Sequence, residues 1–103
     1  MKQGIVIEYE LVGDEGAWRS AVDAFLAAID ADARLKGNFH YQVNIVGEGP
    51  GRVHIGAWDD DETLAHLQAQ PFFKTFAAAV GAFSGGGPKA TRFRALAATD
   101  GGS

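Results

Sequence analysis

The hydrophobic period of this chain changes four times, and the order of those changes leaves few folds open to it. Residues 4–12, GIVIEYELV, alternate, with Ile5, Ile7, Tyr9 and Leu11 on one side and Val6, Glu8, Glu10 and Val12 on the other, which predicts a strand. From Ala17 to Leu35 the period lengthens: Trp18, Val22, Phe25 and Ile29 recur at helical spacing behind Asp14 and Glu15, acids suited to the positive end of a helix. Alternation returns in NFHYQVNIV and RVHIGAW, within residues 38–58, and the GEGPG between them predicts a hairpin loop. The DDDE at 59–62 offers N-caps for a second helical region. Pro71 fits a first helical turn and breaks a helix interior, so the spacing predicts a short helix ending near Gln70 and a new one from Pro71 to about Phe83. SGGG and Pro88 end that helix, and KATRFRALA alternates once more.

The order β-α-β-β-α-β is the split βαβ arrangement of ferredoxin-like α+β folds. Right-handed crossovers then give a four-stranded antiparallel sheet in the order 4-1-3-2 with the helices on one face. A chain of 103 residues has room for one such core, expected over residues 1–98, with 99–103 as a frayed tail. In the register read from the pattern, Ile5, Ile7, Tyr9, Phe39, Tyr41, Val43, Ile45, Val53, Ile55 and Phe93 turn toward the helices. The opposite face then carries Val6, Glu8, Glu10, His40, Gln42, Asn44, Val46, His54, Trp58, Arg92, Arg94 and Leu96. A face so mixed suits a second copy of the chain, packed on it with two-fold symmetry. In this register Glu8 and Glu10 pair across strands with Arg92 and Arg94.

Composition removes several functions. A net charge of -4 with one compact basic stretch, Lys89, Arg92 and Arg94, argues against nucleic acid or an anionic membrane as partner. There are no cysteines, hence no disulfides or thiolate ligands. No apolar run approaches the roughly 18 residues of a membrane span and no secretory signal opens the chain, so a cytoplasmic location is expected. His40 and His54 share a face in this register but stand about 13 Å apart along the strands, too far for a shared metal, so no metal site is expected. SGGGPKAT is not a phosphate loop, because Pro88 rather than glycine precedes Lys89 and the loop follows a helix. Without a glycine fingerprint between strand and helix, no nucleotide cofactor is expected either.

The stretch VHIGAWDDDETLAHLQAQPFFKTFAAAV, with its strand ending in Trp58, acidic cap, AHLQ run and FFKTF after Pro71, resembles the antibiotic biosynthesis monooxygenase superfamily. Within it, the motif is most similar to the small quinol monooxygenases, and GNFHYQV resembles the family's entry into strand 2. The resemblance implies a homodimeric α+β barrel whose subunits each hold an aromatic-lined pocket, and cofactor-independent oxidation of a phenolic or quinol-like aromatic. The haem-degrading branch is disfavoured: TFAAAVGAF lacks its helix-2 histidine, and strand 1 offers Glu8, Tyr9 and Glu10 where that branch has asparagine.

Such chemistry requires removal of a phenolic proton, for which a neutral histidine is suited. His66, on the short helix with Leu64 and Leu67, is the expected proton acceptor if its ring turns toward the aromatic cluster. Tyr9, Tyr41, Trp58, Phe72, Phe73 and Phe76 are the expected substrate-binding residues. Each has a plainer reading: His66 bonding a backbone carbonyl near the Pro71 break, Trp58 closing a strand, and the phenylalanines forming a core stripe. Two other functions fit the same residues: a non-catalytic barrel holding a small apolar metabolite, and a structural or stress-associated dimer.

Overall fold

The computed structural model describes residues 1–100; positions 101–103 of the expected tail lie outside the described residues. The element order is β1 (Gln3–Glu10), α1 (Glu15–Ala31), β2 (Phe39–Ile45), β3 (Gly51–Trp58), α2 (Asp61–Gln68), α3 (Pro71–Phe83) and β4 (Lys89–Arg94). The four strands form one antiparallel sheet in the order β2-β3-β1-β4, which is the expected 4-1-3-2 order read from the other edge.

Capping explains the helix limits. Asp14 accepts a hydrogen bond from Ala17 N at the start of α1, and Asp60 accepts from Thr63 N and Thr63 Oγ1 at the start of α2. α3 begins with Pro71 at its first position, where a missing N–H costs nothing. Trp18, Val22, Phe25 and Ile29 form the buried stripe of α1, as their spacing requires. Phe25 stacks on Phe76 of α3 with ring centres 3.9 Å apart, and each such buried ring contributes about 1.5–3 kcal/mol.

Two strands present the faces opposite to those expected. Val43 pairs with His54, Tyr41 with Gly56 and Phe39 with Trp58, so Arg52, His54, Gly56 and Trp58 lie on the helix side while Val53 and Ile55 lie on the open side. The loop closes through Val46 N to Gly51 O, with residues 47–50 between. The expected register, centred on Gly49, is one residue out, and a slip of one exchanges the faces of a strand. β4 is exchanged too: Arg92 stands opposite Ile5 on the helix side, and Phe93 opposite Gly4 on the open side. Glu8 consequently pairs with Lys89, not with Arg92 or Arg94.

The buried polar residues show why this register holds. Arg52, 3 % exposed, donates to Glu15 at 2.8 Å and to the carbonyls of Gly49 and Gly51, and its guanidinium stacks 4.7 Å from the Trp18 ring centre. It fastens the hairpin loop to the first turn of α1. The open face is left with Val6, Val53, Ile55 and Phe93 among Glu8, Gln42 and Asn44, and among the described residues no helix or strand covers it.

Candidate active site

Between the sheet and the α2–α3 segment lies a cavity of about 190 Å³. Its floor includes Tyr41, Ile5 and Arg92, which with Gly56 form one cross-strand row in register. A side chain at Gly56 would press on the rings of Tyr41 and Phe39, and its absence lets those rings lie over the strand. Leu64, Leu67, Phe73, Phe76 and Val80 form the roof, and Phe39 and Trp58 stack at one side with ring centres 5.7 Å apart. The lining is apolar apart from Tyr41, Trp58, Gln68 and Arg92.

Behind Tyr41 the buried polar groups form a chain. Trp18 Nε1 donates to the Tyr9 hydroxyl at 2.8 Å; that hydroxyl lies 2.7 Å from His54 Nε2, and His54 Nδ1 lies 2.8 Å from the Tyr41 hydroxyl. His54 is fully buried, with Phe76 stacked on its ring. Burial pushes its pKa down to about 4, so the ring is neutral at ordinary pH. Burial likewise raises the Tyr41 hydroxyl far above its usual value, with the neighbouring Tyr9 adding to the effect. Tyr9 is raised too by burial, against the lowering effect of the Trp18 hydrogen bond and of Arg52. The chain thus begins at the cavity wall and ends at Tyr9, which lines a shallow, open hollow with Glu8, Glu10 and Arg52.

Of the expected site residues, Tyr41, Trp58, Phe73 and Phe76 meet at the cavity. Phe72 lies apart, in a hollow between α1 and α3 with Ala21 and Thr75, and Tyr9 reaches the site only through His54. His66 is not turned toward the aromatic cluster. Its Nε2 lies 2.8 Å from Asp32 Oδ2, in a polar hollow bounded by Arg34, Asn38, Asp60 and Glu62. Asp32 is fixed there because it also accepts from Arg34 N and Leu35 N just after α1, and the hydrogen bond from His66 is the main cause of its lowered pKa. His66 therefore ties α2 to the end of α1, close to the plainer reading of its role.

His54 and Arg92 were not expected at the site, because both strands were read one face out. The signal that points to His54 is the run Arg52, His54, Gly56, Trp58: three large polar or amphipathic side chains alternating with a small gap, facing two tyrosines at matching positions. His40 is on the open face, so it shares no face with His54, and among the described residues no cluster of histidines and carboxylates could hold a metal. The Asn44 side chain donates to Val53 O and does not meet His54.

No family model matches the chain, and no curated protein does. Solved structures do. SnoaB, a cofactor-independent oxygenase from Streptomyces nogalater, superposes with a TM-score of 0.76 at 19% identity, over 96% of this chain and 97% of that one. Rv0793 from Mycobacterium tuberculosis matches over the whole of both chains, with a TM-score of 0.73 and 18% identity. A candidate antibiotic biosynthesis monooxygenase from Caulobacter crescentus gives 0.75 at 18% identity, over 93% of this chain and 91% of that one. The chain thus has the α+β ferredoxin-like fold of solved antibiotic biosynthesis monooxygenase-type proteins, over nearly its full length.

Proposed function

We propose that the protein is a cofactor-independent monooxygenase of the antibiotic biosynthesis monooxygenase type, acting on a small phenolic or quinol-like aromatic bound in the cavity. The observation that carries this reading is the uncharged chain Tyr41, His54 and Tyr9, which joins an apolar, aromatic-lined cavity to an open hollow. The cavity, about 190 Å³, is smaller than the roughly 300–1,000 Å³ common for drug-sized ligands and suits one or two rings.

Because the Trp18 indole can only donate, the Tyr9 oxygen accepts from it and can accept also from His54 Nε2–H. Tyr41 then donates its hydrogen to Nδ1. With a substrate hydroxyl against Tyr41, one concerted shift moves a proton from substrate to Tyr41, from Tyr41 to Nδ1, from Nε2 to Tyr9, and from Tyr9 to water. Every relay group begins and ends neutral, which agrees with burial opposing both imidazolium at His54 and tyrosinate at Tyr41. Tyr41 is left donating to the new phenolate, as stabilisation of a developing anion requires.

The phenolate supplies the electrons. A ring carbon that bears hydrogen, ortho or para to the phenolate oxygen, reduces oxygen and forms a C–O bond. The resulting hydroperoxide loses water as the O–O bond breaks and the ring C–H proton leaves, giving a quinone. One phenol and one O2 yield one quinone and one water, with no metal or flavin in the balance. The test is metal-free oxygen uptake with a panel of quinols and phenols under 18O2. The proposal expects uptake above autoxidation and one labelled oxygen in the product; no uptake across the panel contradicts it.

A second copy of the chain belongs to this reading. Val6, Val53, Ile55 and Phe93 form an uncovered apolar patch whose two-fold pairing would close the two sheets into a dimeric barrel. The nearly apolar cavity lining also favours one other reading, a non-catalytic barrel that holds an apolar metabolite, which would show ligand-dependent thermal stabilisation without turnover.

A further inference from the structure

The two ends of the cavity floor differ in a way that oxidation of a phenol does not require. Tyr41 on β2 and Arg92 on β4 lie in one cross-strand row, with Gly56 and Ile5 between them. Three strand spacings separate their backbones by about 14 Å, and both side chains contribute to the wall of the same cavity. At the far end from Tyr41 the only charge is cationic: the Arg92 guanidinium, 5.0 Å from the ring centre of Trp58, has no carboxylate partner among the described residues. Beneath it Trp58 is 1 % exposed, lines the cavity, and its Nε1–H has no acceptor among the described residues. A buried donor without a partner costs about 1–3 kcal/mol, so the fold holds a donor that a ligand oxygen could satisfy. Gln68 adds a neutral amide to the lining and no charge.

We propose that Arg92 and Trp58 form an anion subsite that selects an aromatic carboxylate, whose hydroxyl-bearing end reaches Tyr41 along the cavity floor. This rests on the monooxygenase reading for the role of the hydroxyl and on the geometry alone for the carboxylate. Arg92 is a specificity residue here, and Trp58 supplies both its stacking surface and the second donor. The two-ring size allowed by the cavity matches a linear acid with its hydroxyl and carboxylate at opposite ends.

The experiment is titration calorimetry at pH 7.5 with 6-hydroxy-2-naphthoate and its methyl ester, which differ in charge but carry the same rings and hydroxyl. Wild type is expected to bind the acid about tenfold more tightly than the ester, the scale of one charge-assisted contact. Arg92→Gln should remove that preference and leave ester affinity unchanged, Arg92→Lys should keep part of it, and Trp58→Phe should weaken both ligands while the preference for acid shrinks. Equal affinity for acid and ester in wild type, an Arg92→Gln variant that weakens both alike, or failure of both ligands to bind overturns the subsite. Oxygen uptake with the quinol and phenol panel is a separate readout: binding with acid preference but no uptake across that panel would sink the monooxygenase reading and leave the subsite standing.

Discussion

At the residue scale, His54 concentrates the consequences of the fold. It is the fully buried histidine, and both of its nitrogens are spoken for by tyrosine hydroxyls. Burial holds it at about 4 in the folded chain, below the ordinary 6.5 of the unfolded one. The unfolded chain therefore binds more protons between those values, and the stability that neutral His54 contributes is complete above pH 6.5 and is lost as pH falls toward 4. Between pH 7.5 and 5 the loss is about 2 kcal/mol. Urea midpoints should fall correspondingly over that range, and His54→Gln should flatten the dependence; an unchanged slope in the variant would contradict the buried neutral ring. None of this was legible from residue type. His40 and His54 look alike in a sequence, and what separates them is which face each strand presents, a property set by a loop of four rather than three or five residues.

At the element scale, the periodic segments gave themselves away and the pairings did not. The limits of α3, Pro71–Phe83, follow from a proline that can only start a helix, and the buried stripe of α1 follows from its spacing. The strands are visible for the same reason, as period-two runs between glycines. Their register is not, because β3 alternates Val53 and Ile55 with Arg52 and His54, and the apolar pair reads as the buried side when in fact the polar pair is buried, Arg52 against Glu15 and two loop carbonyls and His54 between two tyrosine hydroxyls. β4 misled in the same way, with Phe93 on the open face. That placement has a local cause: Phe93 pairs with Gly4, and a side chain at Gly4 would meet both the Phe93 ring and the Gly56 carbonyl oxygen. Gly4→Ala should therefore destabilise the β1–β3–β4 ladder by about 1–3 kcal/mol, since the ring can swing aside but the carbonyl is held in the sheet. Thermal unfolding measures this, and a variant as stable as the parent would show that the crowding is relieved at no cost.

At the scale of the whole molecule, the sheet divides two tasks. Its helix side carries the cavity and the hydrogen-bond chain of Tyr41, His54 and Tyr9, and its open side carries the apolar patch for which we propose a second copy. Ile55, between Val6 and Gln42 in register and 37 % exposed, is central to that patch, so Ile55→Lys should convert a dimer to a monomer in sedimentation at micromolar concentration. A wild-type monomer would contradict the pairing. The fold as a whole was readable from the order of periods, and the aromatic half of the cavity from Tyr41, Trp58, Phe73 and Phe76. The groups that do the proposed chemistry were not, because they depend on long-range pairing between strands that no local pattern fixes. The proposed chemistry therefore turns on which histidine matters. Metal-free oxygen uptake with a quinol substrate, compared among wild type, Tyr41→Phe, His54→Gln and His66→Ala, decides it. The account predicts that Tyr41→Phe and His54→Gln each lose about a hundredfold or more in rate, the usual scale of a general acid–base group, while His66→Ala stays within a few-fold of wild type. Loss in His66→Ala with activity retained in the other two would contradict it.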